Sequence, residues 1–121
     1  MYYEPRNPVV FENHVQRDKM IGEGYLELLE RAPESPNMRA QFAKFENSGS
    51  TRWHWHEGSQ LLFGTQGEGF IEIEGLGTFD ITVGTRVIVP PGVWHKHGGS
   101  GSGPFVHLAV TTGATQWEDA E

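Results

Sequence analysis

Cysteine is absent from the chain, which excludes a disulfide framework and thiolate chemistry and leaves histidine, carboxylate and amide groups as the available metal ligands. Positive charge is scarce as well. Nine lysines and arginines stand against 16 aspartates and glutamates, for a formal net charge of −7. Nucleic acid and anionic membrane surfaces both require a basic face, so neither is expected as a partner. No apolar run approaches the roughly 18 residues of a membrane span. The opening "MYYEPRNPVVFENHVQRDK" lacks the charged-then-apolar layout of a signal peptide. A cytoplasmic protein is the resulting expectation. A convincing long helical pattern is also missing.

What the chain does contain is turns. Its 121 residues suit one domain, and 16 glycines and seven prolines separate short apolar segments. The segment "GYLELLER" (24–31) is read as a strand ending at the turn cluster "APESP". In "RAQFAKFEN" (39–47), Gln41, Ala43 and Phe45 alternate with Ala40, Phe42 and Lys44, a two-residue period. Further strands are expected in "TRWHWH" (51–56), "SQLLFGTQG" (59–67), "GFIEIEG" (69–75), "GTFDITVG" (77–84), "RVIVPPGVWHKHGG" (86–99) and "PFVHLAVTT" (104–112). In "GTFDITVG", Phe79, Ile81 and Val83 share a face. "GGSGSGP" (98–104) is read as a flexible loop near a barrel mouth. This spacing argues an all-β sandwich or barrel. Residues 1–24 then form an N-terminal arm, 25–112 the barrel, and 113–121 an acidic, loosely held tail from which Trp117 can dock.

Five of the six histidines fall in the strand-rich half. Residues two apart on a strand share a face, so His54 and His56 project together while Trp53 and Trp55 point the other way. Gln60, just beyond the "EGS" turn, can return beside them. His95 and His97 share a face after the "PPGVW" turn. In a closed barrel these strands can converge on one interior point, where His54, His56, His95 and Gln60 can hold a single divalent ion, neutral imidazole suiting Zn, Cu, Fe, Ni and Mn. Four neutral ligands leave the ion its full charge, which strengthens it as a Lewis acid. Glu57 faces away from His56 and reads as a solvated turn residue, and lone His14 as a surface residue.

These residues resemble the small single-domain cupins. The first cupin motif, G-x5-H-x-H-x3,4-E-x6-G, is similar to "HWHEGSQLLFGTQG", with Gln60 in the place of the glutamate and Gly67 closing it. The second, G-x5-P-x-G-x2-H-x3-N, is similar to "GTRVIVPPGVWHKHGG", with Gly84, Pro90, Gly92 and His95 in place. The departures are Ser48 where the opening glycine is expected, Thr85 where many relatives carry aspartate, and Gly99 at the terminal asparagine. The resemblance implies a jelly-roll, or double-stranded β-helix, barrel. Within the H-x-H-x3-Q cupins, the chain resembles the bacterial cupin hydroxynitrile lyases and the carboxymuconolactone decarboxylase-like cupins. That likeness implies Mn(II) on the four ligands, His97 and His107 lining the pocket, and pocket positions at Gln41 and Ala43. Glutamine at 41 departs from the small apolar residues of those lyases.

Parity supports the same pocket independently. Gln41, Ala43 and Phe45 share one face, and Phe105, His107 and Ala109 share another. If both face inward, they line an apolar cavity with a few polar groups, the usual form of a small-molecule site. His97 or His107 then serves as general base or acid. His107 retains a second reading, as a buried core histidine.

The expected activity is that of a metal-dependent lyase, isomerase or cyclase on a small oxygenated compound. Two alternatives are a dioxygenase using Fe(II) or Ni(II) on the same ligands, and a non-catalytic sugar- or metabolite-binding module. Because barrel edges in this fold are commonly covered by a second subunit, a homodimer is expected, with "VVF" (9–11) as a candidate exchanged strand.

Overall fold

Glycine and proline turns divide the described residues into ten strands: β1 (Met20–Leu26), β2 (Arg39–Thr51), β3 (His54–His56), β4 (Gln60–Gln66), β5 (Gly69–Ile73), β6 (Gly77–Ile81), β7 (Arg86–Val89), β8 (His95–Gly99), β9 (Phe105–Thr111) and β10 (Thr115–Trp117). The structure is a computed structural model that describes residues 3–5, 7–29 and 37–119. Among these residues there is no helix, and so none long and apolar enough to cross a membrane. Every strand pairing is antiparallel, in the order β10-β3-β8-β2-β9-β4-β7, with β1 added to β2 and the β5–β6 hairpin added through β5 to β8. The sheet curls into a nearly closed barrel.

Alternation along the strands sets what lies inside. In β4, Gln60, Leu62 and Gly64 are buried while Leu61 and Phe63 are partly covered. The core gathers Phe45 from β2, Leu62 from β4, Ile71 from β5, Ile81 from β6, Val89 from β7 and Phe105 from β9. Phe45 and Phe105 stack with ring centroids 6.2 Å apart. Burying side chains of this size contributes about 1.5–3 kcal/mol each.

The strand expected over 24–31 begins earlier, at Met20, inside the segment read as an arm. Glu27 continues the pairing by an isolated bridge to Phe11 of the same chain. The "APESP" cluster lies outside the described residues. β2 runs on to Thr51, past Asn47 and Ser48, whose positive φ angles of 51° and 59° accommodate a shift of register against β1. Two other expectations change. Ile81 is buried, but Phe79 and Val83 are 48% and 67% exposed, at a strand that among the described residues pairs only with β5 and at the turn after it. Residues Thr115–Trp117, read as part of a loose tail, form β10 against β3.

Two glycines shape the turns that deliver the histidines. Gly92 has φ +76°, a left-handed conformation that favours glycine. Its N–H donates to the His56 carbonyl at 2.9 Å, which ties the Pro-Pro-Gly turn to β3. At Gly58 a Cβ would collide with Thr112, so only glycine lets the turn before Gln60 sit directly on the end of β9.

Candidate metal centre

His54 and His56 project together from β3, and His54 pairs in register with His95 on β8. Across the same interior, β4 brings in Gln60, β8 adds His97, and β9 supplies His107. All six side chains are at most 4% exposed. The ring of His54 lies 5.1 Å from His56, 4.3 Å from His95 and 5.2 Å from His97, centre to centre. Trp53 and Trp55 face the other layer. Trp55 packs edge-on to Trp94, and the Lys96 ammonium lies over the Trp53 ring.

Two rings are pinned in the same manner, and a third is held by a hydroxyl. His54 Nδ1 lies 2.8 Å from the Arg52 carbonyl, and His95 Nδ1 lies 2.8 Å from the Val93 carbonyl. A carbonyl only accepts, so in both rings Nδ1 carries the proton and Nε2 is left with its lone pair. His56 Nδ1 lies 2.8 Å from the Thr115 hydroxyl, and its Nε2 is buried with no hydrogen-bond partner. Gln60 donates from Nε2 to the Thr111 hydroxyl at 2.9 Å, which turns its Oε1 towards His95 Nε2 at 3.1 Å. Two lone-pair atoms at that separation have no proton to share. The distance matches adjacent ligands on an octahedral ion, about 3 Å for bonds of ~2.1 Å. The donor set therefore fits a divalent cation.

The other two histidines behave differently. His107 Nε2 lies 2.9 Å from His97 Nδ1, and each ring has its remaining nitrogen buried without a partner, Nε2 of His97 and Nδ1 of His107. Phe45 packs edge-on to His97 and tilted on His107. Ring nitrogens of His54, His95 and His97 fall within 4.8 Å of one another, a triad that includes His97 in addition to the residues expected as ligands. Burial holds all five imidazoles below their ordinary range. His56 and His107 are lowered to about 4, His54 and His97 are pushed well down, with adjoining rings adding to the effect of burial, and His95 is lowered as well. At neutral pH the cluster is uncharged, the state that binds metal.

The cluster opens on a cavity of about 630 Å³. Gln41, Ala43 and Ala109 line it, as parity indicated; the Gln41 amide is anchored on the Glu27 carbonyl at 2.8 Å. Phe45 and Phe105 do not line it. They are fully buried in the core, behind His97 and His107, because the barrel narrows there. No residue of the 100–104 loop reaches the cavity either. That loop lies at the other end, where Ser102 and Gly101 accept from Asn47 and Ser48. Glu57 and His14 are exposed, as expected.

Sequence reasoning missed several lining residues. Arg39 and Thr111 continue the parities of Gln41 and His107 and were legible in principle. Lys19 and Thr115 carried no signal, because nothing local places their segments beside β3, whereas Trp117 docks from the tail as the sequence allowed. Trp117 lies with its ring 4.4 Å from that of His54.

Comparison with known proteins agrees with this architecture. The chain is 31% identical over 93 residues to the (R)-mandelonitrile lyase of Granulicella tundricola, covering 77% of this chain and 71% of that one. A cupin-like protein of Thermotoga maritima superposes with a TM-score of 0.83 at 26% identity, over 95% of this chain and 90% of the other. A polyketide cyclase of Streptomyces resistomycificus superposes with a TM-score of 0.71 at 19% identity, over 92% and 78%, a likeness of fold. Residues 41–111 match the cupin domain, and the chain belongs to the cupin family.

Proposed function

We propose that this cupin is a divalent-metal-dependent enzyme of the lyase, isomerase or cyclase type, acting on a small oxygenated organic molecule. His54, His56, His95 and Gln60 hold the ion, Mn(II) or Fe(II) foremost, and His97 with His107 handles the proton. The observation that carries this reading is the pinning of Nδ1 on His54 and His95 by backbone carbonyls, which leaves each Nε2 its lone pair, with the buried, unpartnered His56 Nε2 in the same interior. His97 lacks such a pin; its Nδ1 meets another imidazole. His97 falls within the same cluster of ring nitrogens, and we read it as the proton-handling group instead of a ligand. A bound ion supplies Lewis-acid stabilisation of negative charge developing on a substrate oxygen.

The chain's own residues do the rest. In the tautomer in which His97 Nδ1–H donates to His107 Nε2, His97 Nε2 is a proton acceptor on the cavity wall. Burial keeps that ring neutral at neutral pH. Returning the proton from the same nitrogen completes an elimination or isomerisation, and a positioned acid–base group of this kind contributes about 10²–10⁴-fold. Ala43 and Ala109 leave space beside the histidines, and Trp117 narrows the opening over His54. The relative's mandelonitrile chemistry belongs to this class, and Gln41 in the wall points to a more polar substrate here.

Elemental analysis of protein purified without added metal tests the reading. One transition-metal ion per chain is expected, lost in His54→Ala and retained in His97→Ala, with turnover of candidate substrates lost in both. Full activity without oxygen separates this class from a dioxygenase. Less than a tenth of an ion per chain, with thermal stability unchanged by chelator, refutes it.

A further inference from the structure

The chain carries 16 acidic side chains against nine basic ones, yet the wall of the cavity at the histidine cluster reverses that balance. Arg39 and Lys19 line the cavity, and among the described residues no aspartate or glutamate does. Neither cation has a carboxylate within ion-pair distance among the described residues. Arg39 is partly buried at the start of β2, and its guanidinium is held in place by Nη1 donating to the Gly113 carbonyl at 2.8 Å and Nη2 to the Thr115 hydroxyl at 2.7 Å. Among the described residues two of its five N–H groups are thus committed, which leaves three to offer a ligand. A fixed, partly desolvated cation gains from an anion that joins it.

The position of this cation relates it to the metal centre. Thr115, which accepts from Arg39, also meets His56 Nδ1 at 2.8 Å, so the guanidinium stands two hydrogen bonds from a proposed ligand ring. A molecule of a few carbons spans from one to the other. Building on the metal-site reading above, we infer that the substrate is a small organic carboxylate bearing a hydroxyl or carbonyl oxygen, its carboxylate held by Arg39 with Lys19 alongside and its second oxygen directed to the histidine cluster. The planar guanidinium suits a carboxylate, and an excess of positive charge disfavours neutral analogues.

Mandelate and mandelamide share a skeleton and differ in charge, so calorimetric titration of both tests the inference. It is run on metal-free protein and on Mn(II)-loaded protein, with metal content measured in each sample. Mandelate is expected to bind at least about tenfold tighter than mandelamide in both forms, with the margin shrinking as salt is raised. Arg39→Gln should remove the preference, Arg39→Lys should retain part of it, and Lys19→Gln should reduce it a few-fold. Lys19→Gln and the salt series keep the test decisive if Arg39→Gln folds poorly. Equal affinities in the wild type, absence of binding of either compound at millimolar concentration, or a preference unchanged in both glutamine variants overturns it. A preference that persists in protein unable to take up metal would support the anion site while refuting the metal reading.

Discussion

Five imidazoles share one low-dielectric interior, and each must be neutral for the barrel to hold them together. Their folded pKa values lie below the ordinary 6.5, chiefly through burial, reaching about 4 for His56 and His107. Above about pH 6.5 both the folded and the unfolded chain carry neutral rings, and this stability is fully present. As the pH falls, the unfolded chain takes up protons that the folded chain refuses, so stability is lost from about pH 6.5 down towards pH 4. His107, 1% exposed, alone accounts for roughly 1 kcal/mol per pH unit in that window. Metal-free protein in chelator should therefore show a urea midpoint that is steady from about pH 8 to pH 7 and drops continuously below about 6.5. A midpoint that stays level to pH 5 would contradict neutral burial of the cluster.

At the scale of elements, β10 connects the chain terminus to the metal centre. Its three residues pair with all of β3, Thr115 opposite His56 and Trp117 opposite His54. His54 and His95 are each pinned by the carbonyl two residues earlier on their own segment, so those pins come with the strand itself. The pin on His56 instead crosses 59 residues of sequence to Thr115. Thr115→Val keeps the strand and its shape but removes the hydroxyl. We expect it to weaken metal binding by about 10–100-fold, the usual effect of losing a group that orients a ligand, with a circular dichroism spectrum unchanged. Wild-type metal affinity in this variant would mean that β10 only covers the site.

For the whole molecule, the outer face of the barrel matters as well as the inside. Gln60 and Val89 point inward, so their neighbours Leu61 and Ile88 point out, in register with each other and with Val110 on β9. Ile88 is 64% exposed, and Leu61 and Val110 are partly covered. We propose that a second copy covers this apolar row. Light scattering should then give about twice the 13.5 kDa chain mass, and Ile88→Glu should shift it towards that of the monomer. A monomeric wild type would rule this out.

Sequence alone determined the β architecture and the inward set of His54, His56, Gln60, His95, His97 and His107, because the two-residue period of a strand is a local property of the backbone. Turn chemistry was equally legible, with Pro90, Pro91 and Gly92 marking the bend before His95. Tertiary structure alone decided which inward residues share one point: that Phe45 and Phe105 lie behind the histidines, that Thr115 and Trp117 close over them, and that Arg39 and Lys19 bring positive charge to the cavity. Parity states which side of a strand a residue occupies but not its neighbours across the barrel. Those follow from pairings between distant segments, whose free energy depends on burial and hydrogen bonds formed only when the barrel closes.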